Sequence, residues 1–198
     1  LELSDYHFLD AVPQSSSPFR AYLPISHGCD NFCSYCIVPV VRGREISRSF
    51  EDIIEQAKRL LESGVKEIIL LGQNVNSYRD GKKHFEDVLE TLAGKLSVPR
   101  LSFLTSHPKD FRKSMVDIIA SYENISKLIH LPVQSGNNRI LSLMNRQYTR
   151  EEYLKKIEWL REIPTIELST DVMVGFPGET EEEFRQTLSL VQEVEYLE

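Results

Sequence analysis

The sequence predicts an α/β fold in which parallel strands alternate with helices. Short apolar segments that favour strands begin at about residues 21, 67, 100, 128 and 167, and segments with helical periodicity separate them. Strands joined by helices in right-handed crossovers form a parallel sheet. Unusual polar or glycine-rich motifs follow the strands directly, which is where parallel α/β barrels place their sites. The pattern alone leaves open whether the sheet is doubly wound or curled into part of a barrel.

The predicted strands are short and apolar, and they span residues 21–25, 67–71, 100–104, 128–131 and 167–174. The helices between them are predicted over residues 50–63, 85–96, 111–121, 139–144 and 150–162, and a last helix opens after Thr180. Ser49 suits the N-cap of the first helix, and Gly64 suits the position after its end. Trp159, at helical spacing with Ile163, is expected in the core.

Two later helices open with capping boxes. In Thr149-x-x-Glu152 and Thr180-x-x-Glu183 a hydroxyl and a carboxylate can each satisfy a free backbone N–H at the helix start. These sequences fix the beginnings of the last two predicted helices more firmly than periodicity alone does.

The composition is that of an ordinary globular protein. Of 198 residues, 41% are hydrophobic and 27% are charged, and the formal net charge is −7. This charge argues against strong nucleic-acid binding by these residues alone. No stretch approaches the roughly 18 apolar residues of a membrane span. An odd number of closely spaced cysteines favours a reducing compartment, so we expect no membrane association and a cytoplasmic location.

All three cysteines lie in one nine-residue stretch, Gly-Cys-Asp-Asn-Phe-Cys-Ser-Tyr-Cys at 28–36, as Cys29, Cys33 and Cys36. Three thiolates can hold three irons of a 4Fe–4S cluster and leave the fourth iron open, and open metal sites are typical of catalysis. A zinc site completed by His27 or another histidine is an alternative, and a redox pair of Cys33 and Cys36 is a weaker one.

The C-x3-C-x2-C spacing with Tyr35 before the last cysteine resembles the radical-SAM superfamily, whose open iron binds S-adenosylmethionine (SAM). Together with the motifs at 37–39, 42–48, 70–76 and 130–136, the stretch resembles the tRNA methylthiotransferases within that superfamily. The resemblance implies a TIM-like partial (β/α)6 barrel with five βα units present and the sixth strand truncated. It also implies that residues 1–20 are an arm from a missing upstream domain and that 21–198 are a catalytic domain incomplete at its C-terminus.

The same resemblance implies a site. Cys29, Cys33 and Cys36 would hold the 4Fe–4S cluster. The residues implied to bind SAM are Tyr35 beside the cysteines, the turn residues Gly72, Gln73, Asn74, Gln134, Ser135 and Gly175, Asp171 within the fifth predicted strand, and Arg146 at the end of the short helix after the fourth strand. Arg146 would pair with the SAM carboxylate, since a guanidinium offers two parallel donors. The alternative for Arg146 is an exposed arginine near a helix C-terminus.

The implied activity is methylthiolation at carbon 2 of isopentenylated adenosine beside the tRNA anticodon. The implied partners are tRNA, held mainly through domains missing here, and an electron donor such as flavodoxin or ferredoxin. Related branches that modify a ribosomal-protein aspartate or threonylcarbamoyl adenosine are alternatives, as is a zinc-bound RNA-binding module without catalysis. Arg42, Arg44 and Arg48 form a basic stretch that either is solvated or contacts RNA phosphate. His107 and His130, at strand ends, are expected to be structural.

Overall fold

The computed structural model describes residues 17–197, and its main strands and helices alternate as the sequence predicts. Within these residues the strands are Arg20–Pro24 (β1), Ser26–His27 (β2), Ile46–Ser47 (β3), Glu67–Leu71 (β4), Arg79–Asp80 (β5), Lys83–His84 (β6), Arg100–Phe103 (β7), Leu128–His130 (β8) and Glu167–Ser169 (β9). The α-helices are Val38–Val41 (α1), Phe50–Glu62 (α2), Phe85–Glu90 (α3), Lys113–Ser121 (α4), Asn138–Leu143 (α5), Arg150–Arg161 (α6) and Glu181–Val194 (α7). Most of the predicted linker falls on residues 1–16, outside the described part, and β1 already begins at Arg20.

The chain divides into two compact units, of which the first comprises the described residues up to Asp30, Ile37–Thr105 and Ile118–Ser126. Its main sheet is parallel, with the strand order β1-β4-β7. The central strand β4 reads Glu-Ile-Ile-Leu-Leu, and such an unbroken apolar run is typical of a strand covered on both faces. Accordingly Ile68 and Leu70 on one face are fully buried, and Ile69 on the other face is 8% exposed. The predicted parallel pairing is therefore confirmed for these three strands.

Helix α2 begins where its cap predicts, because Ser49 Oγ accepts a hydrogen bond from Asp52 N at 3.2 Å. Its apolar stripe is buried, with Ile53, Ala57 and Leu60 at most 1% exposed. The predicted helix over 85–96 is continuous but changes pitch, since α3 is followed by a π-helix, Thr91–Lys95.

Two short antiparallel strand pairs escape the sequence prediction because strands of two residues carry no periodicity. One pairs β5 with β6 across a turn at Gly81. The other pairs β2 with β3 in antiparallel fashion, through Ser26↔Ser47 and His27↔Ile46. Because β2 follows β1 almost directly, its pairing with β3 fixes the direction in which the chain enters the cysteine stretch.

The second unit comprises Asn31–Cys36, Ser106–Asp117 and the chain from Lys127 onward. Strands β8 and β9 pair in parallel, from Leu128↔Glu167 to His130↔Ser169. Both predicted capping boxes are present, at Thr149 for α6 and at Thr180 for α7. Near the end of the described residues, the Leu197 N–H donates to the Leu168 carbonyl at 2.8 Å, which brings the chain alongside β9.

The fifth strand is shorter than predicted. It ends at Ser169 instead of reaching residue 174, so Asp171 lies past the strand and not within it. The reason is one extra residue on the β8 side: partners differ by 39 positions at His130↔Ser169 but by 38 at Gln134↔Val172. Gln134 has a left-handed φ of 71°, and the ladder is interrupted there as in a β-bulge.

The prediction that Trp159 belongs to the core is wrong. Its side chain is only half-buried, and the Lys155 and Lys156 ammonium groups lie 5.8 and 5.6 Å from its ring centroid. The predicted partner Ile163 is buried, but α6 ends at Arg161, so the helical spacing between the two does not hold. Within residues 17–197 no helix has both the length and the apolar character needed to cross a membrane.

Candidate functional site

In the first unit, the entry to the cysteine stretch is fixed by Gly28. Its φ is +74°, and a Cβ there would lie 2.1 Å from the Arg44 carbonyl oxygen, so only glycine fits. The Gly28 N–H donates to Gln73 Oε1 at 2.6 Å. The next residue, Cys29, donates its N–H to the Gly43 carbonyl at 3.3 Å. Cys29 therefore sits on a backbone held from two sides.

One of these two contacts, the one to Gln73, comes from the turn after β4. A Cβ at Gly72 would lie 2.3 Å from Ser26 Oγ, and the Gly72 carbonyl accepts from Thr105 Oγ1 at 2.5 Å. Gln73 uses its side-chain oxygen for Gly28, and Asn74 is buried, with 2% of its surface exposed. The turn predicted to bind SAM therefore packs next to Gly28, the residue before the first cysteine. The side-chain oxygen of Gln73 already accepts a hydrogen bond from the Gly28 N–H.

The three arginines after the cysteines do not form one surface. Arg44 is exposed and pairs with Asp30, with 2.8 Å between Nε and Oδ1. Arg42 is exposed as well, but Arg48 is buried and donates to Gln56 Oε1. The Tyr78 hydroxyl in turn donates to the Arg48 carbonyl at 2.9 Å. A basic surface from this stretch would therefore consist of Arg42 and Arg44, without Arg48.

In the second unit, Arg146 is the centre of a buried polar network. It is 5% exposed, which rules out the alternative of an exposed arginine. Its Nη1 lies 3.4 Å from Cys33 Sγ and 3.3 Å from the Tyr35 hydroxyl. Nε donates to the Tyr148 hydroxyl at 3.0 Å, and Nη2 donates to the Pro132 carbonyl at 2.8 Å. Four of the five N–H groups of the guanidinium are directed at these acceptors.

His107 is a second donor group beside Cys33. Its Nε2 lies 3.8 Å from Cys33 Sγ, and its Nδ1 accepts the Lys109 N–H at 3.2 Å. The ring packs edge-on against Tyr148, with 5.8 Å between the ring centroids. Burial, followed by the charges of Arg146 and Lys109, lowers the pKa of His107 to about 2. The imidazole is therefore neutral near pH 7.

The backbone of the cysteine stretch is anchored to the end of α5. The Ser34 N–H donates to the Met144 carbonyl at 3.0 Å, and the Ser34 hydroxyl donates to the Leu143 carbonyl at 2.9 Å. Asn145 Nδ2 donates to the Phe32 carbonyl at 2.9 Å. Asn145 thus connects the backbone between Cys29 and Cys33 to the end of α5 as well. The residue type at 145 matters for this contact, and its neighbour Arg146 is positioned by the same turn.

Burial also changes the pKa of Tyr35. Desolvation raises the pKa of its hydroxyl well above the ordinary value, although the nearby guanidinium of Arg146 opposes this shift. Tyr35 therefore stays protonated, and its oxygen accepts from Arg146. The structure brings Cys33, Tyr35 and Arg146 together, as the sequence-based site requires.

The ends of β8 and β9 hold the remaining predicted residues. The Gln134 N–H donates to the Asp171 carbonyl at 2.9 Å, and Asp171 Oδ2 lies 3.2 Å from His130 Nε2. The Asp171 side chain is 65% exposed and so is open to a ligand. Ser135, in contrast, is fully buried, and its hydroxyl accepts the Asn137 N–H at 3.2 Å. Ser135 shapes the turn instead of facing outward.

Gly175 lies in an open loop after β9. Its φ is +74°, and no atom lies within 4 Å of the position that a Cβ would take. Its N–H donates to Glu179 Oε2 at 2.6 Å. This backbone leaves room for a neighbouring group, which is the role expected of a glycine beside a flat ligand.

Sequence reasoning missed the contacts of both histidines. His107 follows β7 directly, at the same place relative to its strand as the recognised motifs, and that position was the signal for it. His130 ends β8 and bonds to Ser169 and Asp171. Among residues 17–197, no group of three or more His, Cys, Asp and Glu side chains could hold one metal ion between them.

A comparison with known families decides the family. The sequence model of the radical SAM superfamily matches residues 23–191. The chain belongs to the radical SAM superfamily. Solved structures of this superfamily have the same fold. The radical SAM methyltransferase TsrM from Kitasatospora setae, with cobalamin and a 4Fe–4S cluster bound, matches with a TM-score of 0.72 at 18% identity, over 88% of this chain and 34% of its own.

Curated relatives show which group of radical SAM enzymes this chain resembles. A tRNA-2-methylthio-N(6)-dimethylallyladenosine synthase from Thermodesulfovibrio yellowstonii is 49% identical over 178 residues, covering 89% of this chain and 41% of its own length. The protein of the same name from Desulforamulus reducens is 50% identical over 192 residues, covering 94% and 42%. The resemblance to the tRNA methylthiotransferases is confirmed. The chain spans about two fifths of the length of these relatives.

Proposed function

We propose that this chain is the SAM-cleaving part of an enzyme that adds a methylthio group at carbon 2 of isopentenylated adenosine beside the tRNA anticodon. One observation carries the proposal: about half of the residues are identical, over nine tenths of the chain, to relatives named for that product. tRNA and a low-potential electron donor, such as flavodoxin or ferredoxin, are the partners this chemistry needs, and both are cytoplasmic.

The donor set of the cysteine stretch fits a 4Fe–4S cluster. Cys29, Cys33 and Cys36 form no disulfide with one another, and thiolate is the ligand that such clusters use. The guanidinium of Arg146 lies beside Cys33, with 3.4 Å between Nη1 and Sγ, where it can donate a hydrogen bond to a ligand sulfur. We therefore assign the three cysteines as the cluster ligands. When bound, the cluster would supply the electron that cleaves SAM to a deoxyadenosyl radical.

The residues proposed to hold SAM differ in how open they are. The exposed carboxylate of Asp171 suits the ribose hydroxyls, and the open backbone at Gly175 suits a flat adenine. Tyr35 and Arg146 lie against Cys33 and would border the cofactor on the cluster side. Only one N–H of Arg146 is left for another acceptor, so a two-pronged contact with the SAM carboxylate would require the release of one present partner.

The remaining candidates have supporting roles in this proposal. Gln73 holds Gly28 and so positions the cysteine stretch, and Gly72 and Asn74 belong to the same packed turn. Gln134 would present its side chain from the bulged end of β8, and the buried Ser135 would fix the turn that carries it. Each contact with SAM stays a prediction.

We also propose that the chain forms five βα units of a partial (β/α)6 barrel, with residues 1–20 as an arm and 21–198 as the catalytic domain. The parallel pairing of β1, β4 and β7, and of β8 with β9, supports this arrangement. The Leu197 N–H bonded beside β9 supports a sixth strand at that position.

Anaerobic reconstitution with iron and sulfide tests the proposal. The chain should take up close to four irons, show the broad visible absorption of a 4Fe–4S cluster, and release deoxyadenosine from SAM when reduced. The Cys33→Ala variant should lose stable uptake, whereas Ser34→Ala, which loses one exposed hydrogen bond in the same stretch, should keep it. A full complement of iron and sulfide in Cys33→Ala would contradict the assignment, and tight binding of zinc instead of iron would favour a structural site.

A further inference from the structure

The sulfur of Cys33 has two nitrogen donors around it. Arg146 Nη1 lies at 3.4 Å and His107 Nε2 lies at 3.8 Å, and all three side chains are buried. Both distances are within the range of hydrogen bonds to sulfur, which are longer than those to oxygen. The arginine contact belongs to the site described above. The contact between His107 and Cys33 has no role in the cluster and SAM site proposed above.

The surroundings of His107 decide which ring nitrogen carries the proton. Its Nδ1 lies 3.2 Å from the backbone nitrogen of Lys109, which can only donate. Nδ1 must therefore present its lone pair, so the proton of a neutral ring is on Nε2. That nitrogen is the one that faces Cys33 Sγ. The contact is consequently an N–H···S hydrogen bond in which the histidine donates.

The ring is also held in orientation. Its edge packs against Tyr148, at an interplanar angle of 77°, and the side chain is 6% exposed. His107 lies between Ser106 and Pro108 at the start of a one-turn 3-10 helix, where its own Nδ1 caps the first turn. A donor fixed in this way gives sulfur a hydrogen bond without adding a second positive charge beside Arg146.

We propose that His107 is a positioning residue that donates its Nε2–H to the Cys33 sulfur and thereby raises the reduction potential of the 4Fe–4S cluster. Reduction adds negative charge to the cluster and its sulfurs, so a hydrogen bond to a ligand sulfur stabilises the reduced state more than the oxidised state. A neutral donor at this sulfur makes electron entry easier. The inference rests on the proposed assignment of Cys33 as a cluster ligand.

The tautomer is tested first, in the chain before iron is added. Long-range proton–nitrogen NMR of 15N-histidine-labelled protein distinguishes a protonated ring nitrogen from an unprotonated one, and the His107→Asn variant identifies the signal by its absence among the five histidines. We expect protonated Nε2 and unprotonated Nδ1. A proton on Nδ1 would overturn the proposal, whether or not a cluster is ever bound.

The potential is tested next, by EPR-monitored redox titration of the reconstituted chain in the absence of SAM. His107→Asn keeps an acceptor for Lys109 but has no atom at the Nε2 position, whereas His107→Gln places an amide N–H near it. At a fixed solution potential we expect the ratio of reduced to oxidised cluster to fall several-fold in the Asn variant and to recover at least in part in the Gln variant. His130→Asn, which disturbs contacts to Ser169 and Asp171, should leave the ratio unchanged.

Each outcome has one meaning. Equal iron content with an unchanged potential in His107→Asn would overturn the proposal, and a fall that Gln does not reverse would assign His107 to packing alone. If the Asn variant takes up no cluster, the tautomer result decides. If the unsubstituted chain takes up no cluster, the proposed function fails, and the NMR experiment still reports whether the His107 N–H faces sulfur.

Discussion

At the scale of single residues, Arg146 combines an expected role in SAM binding with a structural role in a buried hydrogen-bond network. It lies where a SAM ligand is expected, yet its guanidinium bonds to Cys33, Tyr35, Tyr148 and Pro132. A buried charge that keeps this many partners is costly to remove, because its partners are then left without a donor. Its contribution to cofactor binding must therefore be separated from its contribution to stability.

We expect Arg146→Ala to weaken SAM binding by the reconstituted chain and to lower the free energy of unfolding of the apo chain by about 2 kcal/mol. Tyr148→Phe, which removes one neutral hydroxyl from the same network, should lower it by about 1 kcal/mol and leave SAM binding nearly intact. Arg146→Lys should not restore binding, since an ammonium lacks the planar pair of donors. An unchanged Kd for SAM with an intact cluster spectrum would limit Arg146 to a structural role.

Gly28 allows a matched comparison of two glycine substitutions. Gly178→Ala places alanine at a φ of +81° with no atom near its Cβ, so it should cost about 1–2 kcal/mol of stability through backbone strain alone. Gly28→Ala has similar strain, at +74°, and in addition places the Cβ 2.1 Å from the Arg44 carbonyl oxygen. We expect a larger loss of stability and impaired iron uptake. Equal effects in chemical denaturation and iron assays would show that the contact with Arg44 is unimportant.

Predictability at this scale depends on whether a residue's role is local. The cysteine spacing is a local feature, and the sequence alone identifies the three thiols and the tyrosine beside them. His107 could not be connected to Cys33 in this way, because 74 positions separate them and only the fold brings them together. The expectations for Arg48 and Trp159 fail for the same reason. Their burial is decided by neighbours that are distant in sequence or by where a helix ends.

At the scale of secondary structure, α7 illustrates a helix start that charge reinforces. Arg139 holds Glu183 through two bonds, at 2.5 Å and 2.7 Å, and Glu183 also accepts the Thr180 N–H. These bonds, the one from Arg139 foremost, lower the pKa of Glu183 to about 2. A depressed carboxyl pKa gives stability that is present above the ordinary value of 4.5 and is lost as the pH falls toward 2.

Glu183→Gln should therefore reduce the acid sensitivity of the apo chain. Between about pH 5 and about pH 3, the denaturant midpoint of the unsubstituted chain should fall more than that of the variant, because the variant has no carboxylate to protonate. Glu182→Gln, at the exposed neighbouring position, removes the same charge without removing the bonds from Arg139 and serves as the matched control. Equal slopes in all three proteins would contradict the role assigned to Glu183.

The elements that the sequence predicts well are those with strong local signals. The apolar run of β4 and the caps at Ser49, Thr149 and Thr180 place their elements to within a residue. The sequence does not predict the π-helix after α3, which contains Gly94; a Cβ there would lie 2.8 Å from the Tyr122 hydroxyl oxygen. Such close approach is a tertiary property, and glycine in a helical pattern does not reveal it.

At the scale of the whole molecule, the chain matches about two fifths of each relative, so we expect it to perform only part of the reaction. The reduced, reconstituted chain should release deoxyadenosine from SAM but should not methylthiolate isopentenylated tRNA. Mass spectrometry of both products from one reaction tests this, with the full-length D. reducens relative as the positive control. Methylthiolated tRNA from this chain alone would show that the matched part suffices.

The extra residue between β8 and the turn at Gln134 also has a consequence for insertions and deletions. Deleting one residue between His130 and Gln134 would leave every proposed cluster ligand in place, yet it would remove the bulge and make the ladder from His130 to Gln134 regular. The left-handed backbone that carries Gln134 would then be lost. Alignment gaps among relatives should therefore avoid residues 131–134, even where individual residues there are replaced.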